Sequence, residues 1–268
     1  MQPPSSDNSR IYDDSDVLLG TVPSLRKATC VALQLLKGLL FFRGLQAPNA
    51  PSEHPVALLE RARHLQKLTQ LLLRHLEIDV RVSGPIPQSG LLVANHVSFA
   101  DILVLGSIRP TVFVSKAEVA NWPIVGPIAA NAGTLFVQRQ RRSDVARVNA
   151  NLKAAFDEGL LVTLFPEGTS SDGQTVLPFM PSLLQPAIDT QAAVTPAHLR
   201  YTNTQGERVD EVAYFGDREL QDCLWALVQR TRTIANVRFG QTIRSSSDRK
   251  TLAADLFAQV NELAAPSA

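Results

Sequence analysis

Short, almost wholly apolar runs, repeated from residue 79 onward and separated by longer amphipathic stretches, are the feature that most restricts this chain. Residues 160–165, LLVTLF, contain one hydroxyl and no charge. A strand that apolar must be covered on both faces, as in a parallel sheet between layers of helices. Seven further runs have the same character: DVRV, GLLVAN, TVFVS, TLFVQ, AAVTPAHL, EVAYF and NVRFGQ. Between them, residues 101–108, 117–130, 143–158, 217–232 and 248–264 carry helical periodicity. The expected fold class is α/β, a mostly parallel central sheet flanked by helices. The chain has 268 residues, 45% of them hydrophobic and 19% charged, enough for one such core.

Ahead of that region the pattern differs. Residues 1–20 are polar and acidic, with Asp7, Asp13, Asp14 and Asp16 against Arg10, and read as a disordered leader; they lack a signal sequence's basic start and apolar run. Residues 28–42, ATCVALQLLKGLLFF, would span only about 22 Å as a helix, short of a hydrocarbon core of roughly 30 Å. In residues 55–76, Leu58, Ala62, Leu65, Leu72 and Leu76 share one side, with Arg63, Lys67 and Arg74 opposite. Pro48 and Pro51 separate the two helices. The organisation expected is a leader over 1–20, an N-terminal amphipathic helical hairpin at the membrane interface over 21–78, and an α/β domain over 79–268. The plainer reading is that both helices simply cover the core.

Lys plus Arg is 26 against 25 Asp plus Glu, a balance that disfavours a nucleic-acid binder. Cys30 and Cys223 are too few for a disulfide framework and read as small apolar residues. His198 reads as structural, and His54, His64 and His75 have no metal-ligand spacing.

Chemistry in a parallel sheet gathers at the carboxyl ends of strands, and three polar clusters stand there. The first is Asn95-His96-Val97-Ser98-Phe99-Ala100-Asp101. Histidine can take a proton from a hydroxyl, and a nearby carboxylate can fix its tautomer. Five residues of spacing put the two about 140° apart on a regular helix, so His96 must lie in the turn before it. No nucleophile-elbow serine or cysteine precedes them, which favours direct attack by a substrate hydroxyl. The second cluster, Gly133-Thr134-Leu135-Phe136-Val137-Gln138-Arg139, continues to Arg141, Arg142 and Arg147 and suits an anion. The third is Phe165-Pro166-Glu167-Gly168-Thr169-Ser170-Ser171-Asp172-Gly173, a tight polar turn with backbone donors.

In this order the clusters resemble the motifs of the glycerolipid acyltransferase family typified by 1-acylglycerol-3-phosphate acyltransferase. NHVSFAD is similar to its first motif, GTLFVQR to its second, FPEGTSS to its third, and Val194-Thr195-Pro196 to its fourth. The resemblance implies transfer of a fatty acyl group from an acyl thioester to a lysolipid hydroxyl, with no acyl-enzyme, metal or cofactor. By motif, His96 is the general base and Asp101 its orienting partner. Asn95, Arg139, Glu167, Gly168, Thr169 and Ser170 would bind substrate, and Pro196 and Phe136 would serve the acyl-chain region or the framework. The implied partners are acyl carrier protein or a coenzyme A thioester, a lysolipid acceptor and a membrane surface, with no nucleic acid. The implied location is the cytoplasmic face of the inner membrane, peripheral or monotopic.

Many members carry Arg where this chain has Ser170. That departure, with residues 171–179 and the Tyr214–Asp217 segment, resembles the subgroup of bacterial lyso-ornithine lipid acyltransferases. The acceptor expected first is therefore 1-acyl-sn-glycerol-3-phosphate, and the alternative a lyso-ornithine lipid. A lipid-binding protein without turnover, and a hydrolase using the same His-Asp pair, are the readings from other classes.

Overall fold

The computed structural model describes residues 14–43, 55–138, 140–244 and 248–265. Two helices, α1 (Asp14–Arg43) and α2 (Pro55–Leu76), precede an alternation of strands and helices. These are β1 (Ile78–Ser83), β2 (Gly90–Ala94), α3 (Ala100–Ile108), β3 (Val112–Lys116), α4 (Val125–Asn131), β4 (Leu135–Val137), α5 (Arg142–Asp157) and β5 (Leu161–Leu164). They continue as α6 (Gln185–Asp189), β6 (Ala193–Thr202), α7 (Leu220–Gln229), β7 (Thr233–Phe239), β8 (Ile243–Arg244) and α8 (Arg249–Ala264).

The strands form one sheet in the order β1-β7-β6-β2-β5-β3-β4, with β8 on β6. Pairings are parallel except β6 with β7 and with β8, which are antiparallel. The expected mostly parallel α/β sheet is what the chain builds. Strands β2 and β5 are buried along their whole length, as their uncharged sequences require. One face is covered by α1, α2, α3 and α7, and the other by α5, α6 and α8.

Two details of this sheet position the chemistry. Val93 of β2 lies beside Leu164 of β5, so the residues that follow each strand leave the sheet side by side. From β2 the chain crosses through α3 on one face, and from β5 through α6 on the other. Connections that diverge in this way leave a crevice beyond the carboxyl ends of the two strands. Gly90 opens β2 at φ +89°, where a Cβ would fall 2.3 Å from the Ala193 carbonyl oxygen. Glycine alone allows that approach.

Several sequence expectations change. The EVAYF run is no strand: Asp210–Val212 form a 3-10 turn, and residues 213–215 run on irregularly. The run buries Val212 and Ala213, and the Tyr214 N–H donates to the Val97 carbonyl at 2.9 Å instead of to a strand. The helix expected over 117–130 is a 3-10 turn, Ala117–Asn121, and then α4, because Pro123 interrupts it. The short elements β8 and α6 lie below the length at which periodicity speaks.

At the amino end, residues 1–13 of the expected leader lie outside the described residues, and from Asp14 the chain is helical. The apolar side of α2 is not turned to a membrane. Leu58, Ala62, Leu65, Leu72 and Leu76 are all buried against the fold, each leucine contributing about 2 kcal/mol. Helix α1 packs on α2, α4 and α7 and keeps Leu25, Leu33, Leu36, Leu40 and Phe41 exposed. No helix among the described residues is long and apolar enough to cross a membrane.

Candidate active site

After Ala94 the chain leaves β2, turns through residues 95–99 and enters α3, whose first turn carries Asp101. A carboxylate there turns back over the amides that precede the helix. Asp101 Oδ2 accepts the Val97 N–H at 2.7 Å, the Ser98 N–H at 2.9 Å and His96 Nδ1 at 2.7 Å. Its Oδ1 accepts the Tyr201 hydroxyl at 2.6 Å. Four hydrogen bonds thus replace the water that this fully buried side chain has lost. With a carboxylate accepting at Nδ1, that nitrogen carries the proton and Nε2 keeps its lone pair. The geometry required of the first cluster, histidine in the turn and aspartate in the first helical turn, is the one observed.

The His96 ring stacks on Phe165, with centroids 4.1 Å apart and planes 16° from parallel. Its backbone is held by the turn that follows β5. His96 N–H donates to Glu167 Oε1 at 3.1 Å, and the His96 carbonyl accepts the Ser171 N–H at 2.9 Å. Ser171 Oγ also donates to that carbonyl, at 3.2 Å. The second loop therefore clamps the first, a direct result of the β2–β5 register.

Glu167 is buried, and its Oε2 has no hydrogen-bond partner among the described residues. Burial pushes this carboxyl up to about 8; the nearby His96 and Leu177 amides oppose the shift, and the Asp101 charge adds to it. At neutral pH most of it is the uncharged acid. Gly168 turns the chain at φ +76°, Thr169 is exposed, and Ser170 Oγ donates to the Tyr214 carbonyl.

Not all the residues grouped by motif meet here. Asn95 spends both ends of its amide on Leu199, accepting its N–H at 2.7 Å and donating to its carbonyl at 3.1 Å, so it ties β2 to β6. Pro196 accepts the Gly240 N–H at 2.8 Å and lies outside the apolar cavity beside His96; Phe136, half-buried in β4, also lies outside it. Arg139 lies outside the described residues. Arg141 is exposed, and Arg147 pairs with Asp144 at 2.6 Å and donates to the Phe136 carbonyl.

Tyr201 is the residue that sequence reasoning missed. Burial, then the Asp101 charge and the bond to it, hold its phenol well above the usual value, so it stays a donor. A signal existed in the alternation of β6, which puts Ala197, Leu199 and Tyr201 on the face toward α3. Nothing in the sequence pairs residue 201 with residue 101.

His96 also borders a cavity of about 320 Å³ between α1, α2, α3, α4 and α7, with Leu35, Leu72 and Phe99 in its wall. Lys116, Thr169 and Ser170 join this lining. The arrangement sets a proton acceptor, oriented from behind, against a space that suits a hydrocarbon chain.

The acyltransferase family model matches residues 77–200. The 1-acyl-sn-glycerol-3-phosphate acyltransferase of Neisseria meningitidis serogroup B is 34% identical over 218 residues, covering 80% of this chain and 82% of its own. The chain belongs to the acyltransferase family. Among other family members, the lyso-ornithine lipid O-acyltransferase of Pseudomonas aeruginosa is 36% identical over 194 residues, 70% of this chain and 74% of that protein. The crystal structure of the 1-acyl-sn-glycerophosphate acyltransferase of Thermotoga maritima has the same fold, with a TM-score of 0.62 over 94% of this chain and 99% of its own, at 21% identity. The chain is thus an acyltransferase, and its His96–Asp101 pair sits within the family's matched span.

Proposed function

We propose that this acyltransferase moves a fatty acyl group from an acyl thioester, carried by acyl carrier protein or coenzyme A, to the free hydroxyl of 1-acyl-sn-glycerol-3-phosphate. The carrying observation is His96: Nδ1 is bound to a buried carboxylate, and the residue borders an apolar cavity. Nε2 takes the hydroxyl proton as the oxygen attacks the thioester carbonyl. The new C–O bond forms, the C–S bond breaks, and the imidazolium returns its proton to the departing thiolate. Asp101 stabilises the imidazolium, and Tyr201 holds Asp101. No acyl-enzyme, metal or cofactor is required. Arg139, Arg141, Gly168 and Thr169 are assigned to the acceptor head group, and Glu167 to the backbone of the base.

Ser170 supports a second reading. It carries no charge, and its hydroxyl is already committed to the Tyr214 carbonyl. An acceptor without a phosphate monoester, such as a lyso-ornithine lipid, fits that neutral position. We place the protein peripherally, on the cytoplasmic face of the inner membrane, supported by the exposed apolar side of α1.

An acceptor panel in mixed micelles tests the assignment, with labelled acyl thioester offered alongside each lysolipid. Product from lysophosphatidate is expected, and His96→Ala should lower the rate by about a thousandfold with folding retained. Product from lyso-ornithine lipid alone would transfer the protein to the second reading. Turnover by His96→Ala at the native rate would remove His96 from the reaction.

A further inference from the structure

On the sheet face turned away from the His96–Asp101 pair, three neighbouring strands gather cations that no carboxylate among the described residues pairs. Register puts Arg81 of β1 and Arg200 of β6 on either side of Asn236 of β7. Adjacent strands are about 4.8 Å apart, so the two arginines stand roughly 10 Å apart at the backbone, within reach of a common ligand. Two residues along, on the same face, Arg238 lies opposite His198. Together these five side chains and the 203–206 turn line a recess of about 390 Å³, with Ala264 of α8 at its edge.

Like charges on one face of neighbouring strands repel. The nearby carboxylates are engaged elsewhere: Asp79 with Arg232 at 2.6 Å, Asp210 with Arg208 at 2.6 Å, and Glu207 with the Asn203 amide at 2.8 Å. Arg238 donates to the Leu263 and Ala265 carbonyls at the end of α8. Arg81 and Arg200 are exposed and make no ion pair or side-chain hydrogen bond with any described residue. The Asn236 amide donates to Thr202 Oγ1 at 3.1 Å, which fixes it between them.

We infer that this recess is a second binding site, separate from the catalytic crevice, for a phosphate-bearing ligand clamped by Arg81 and Arg200 over Asn236. Two guanidiniums presenting planar N–H pairs suit phosphate oxygens, and the hydroxyls and amides of the 203–206 turn suit a polar substituent. Burial, then Arg238 and Arg200, press the His198 imidazole down to about 4, so at neutral pH the ring adds no charge of its own to the recess. The phosphate could come from a soluble phosphate compound or from a lipid head group. The site does not depend on the acceptor assigned above.

Titrating inorganic phosphate into the full chain while following the histidine resonances tests the inference, with His198 assigned by comparison with His198→Asn. A saturable shift at His198 is expected, weakened roughly tenfold or more in the Arg81→Gln/Arg200→Gln double variant. Arg81→Lys/Arg200→Lys, which keeps the charge but loses the fork, should fall between. The Gln variant should melt no lower than the native chain without phosphate, because repulsion is relieved, and should lose the rise in Tm that phosphate produces. If phosphate is silent at His198 but vesicles of phosphatidylcholine containing phosphatidate bind the native chain better than the Gln variant, the lipid head group is the source. A shift confined to His96, or equal responses from native and variant chains in both arms, overturns the site.

Discussion

Asp101 is buried without a cation beside it, and its hydrogen bonds explain how the fold tolerates it there. Three donors come from its own turn, and the fourth is Tyr201, one hundred residues later in the chain. Removing that hydroxyl leaves a buried carboxylate oxygen short of a partner. Tyr201→Phe should therefore cost about 1–3 kcal/mol of stability and lower kcat by about tenfold, with KM little changed. A merely structural tyrosine would lower Tm and leave the pH profile of kcat where it was; a displaced profile marks the coupling to His96. Glu167 makes a prediction in pH. Its carboxyl titrates near 8 in the fold against an ordinary 4.5, so the folded chain binds more protons than the unfolded chain between those values. This group's contribution to stability then falls as pH rises from 4.5 to 8. His198, pressed down to about 4 from 6.5, contributes a slope of opposite sign between 4 and 6.5. Glu167→Gln should remove the first slope only, so the Tm of the variant should rise relative to that of the native chain as pH increases from 4.5 to 8. A constant difference would mean that Glu167 does not titrate in that window.

At the scale of elements, α1 and α2 look alike in sequence and do different work. Most leucines of α2 are buried in the core, whereas Leu25, Leu33, Leu36 and Leu40 on the outer side of α1 are exposed. Leu73, buried on α2 and outside the cavity wall, should cost about 3 kcal/mol as Leu73→Ala. Leu36, exposed on α1, should change stability by less than about 0.5 kcal/mol as Leu36→Ala. Urea unfolding of the two variants checks the contrast, and equal losses would show that α1 is covered in solution. The strand ends are the other decisive elements. The pairing of Val93 with Leu164 brings the turn after β5 against the turn after β2, so His96 and the loop that clamps it arise from one register.

For the whole molecule, the apolar cavity, His96 at its wall and the exposed side of α1 support the proposal that the enzyme receives its substrate from a lipid surface. Leu33, Leu36 and Leu40 recur on that side, with Arg26 and Lys37 also exposed on the helix. Apolar contact and cationic attraction to anionic lipid act together in such helices. Leu36→Glu/Leu40→Glu should weaken sedimentation with anionic vesicles by about tenfold or more while leaving Tm nearly unchanged. Unaltered sedimentation would move the membrane contact to another surface.

How much of this was legible in the sequence follows from the range of each interaction. The parallel core was legible because an uncharged strand such as residues 160–165 has only one stable environment, covered on both sides. The His96–Asp101 pair was legible because both residues belong to one turn, where spacing alone limits the geometry. The burial of the α2 stripe was not, since a leucine face satisfies a core and a bilayer alike and periodicity cannot tell them apart. Asn95 and Glu167 carry polar groups suited to a substrate, and only the tertiary placement shows that Asn95 bonds to Leu199 and Glu167 to the His96 amide. The sequence by itself determined the layers and the chemistry at the strand ends, because those depend on local composition and short spacing. The tertiary structure alone decided what stands behind the base, which face of each helix is free, and where Arg81 and Arg200 meet, because those contacts join residues far apart in the chain.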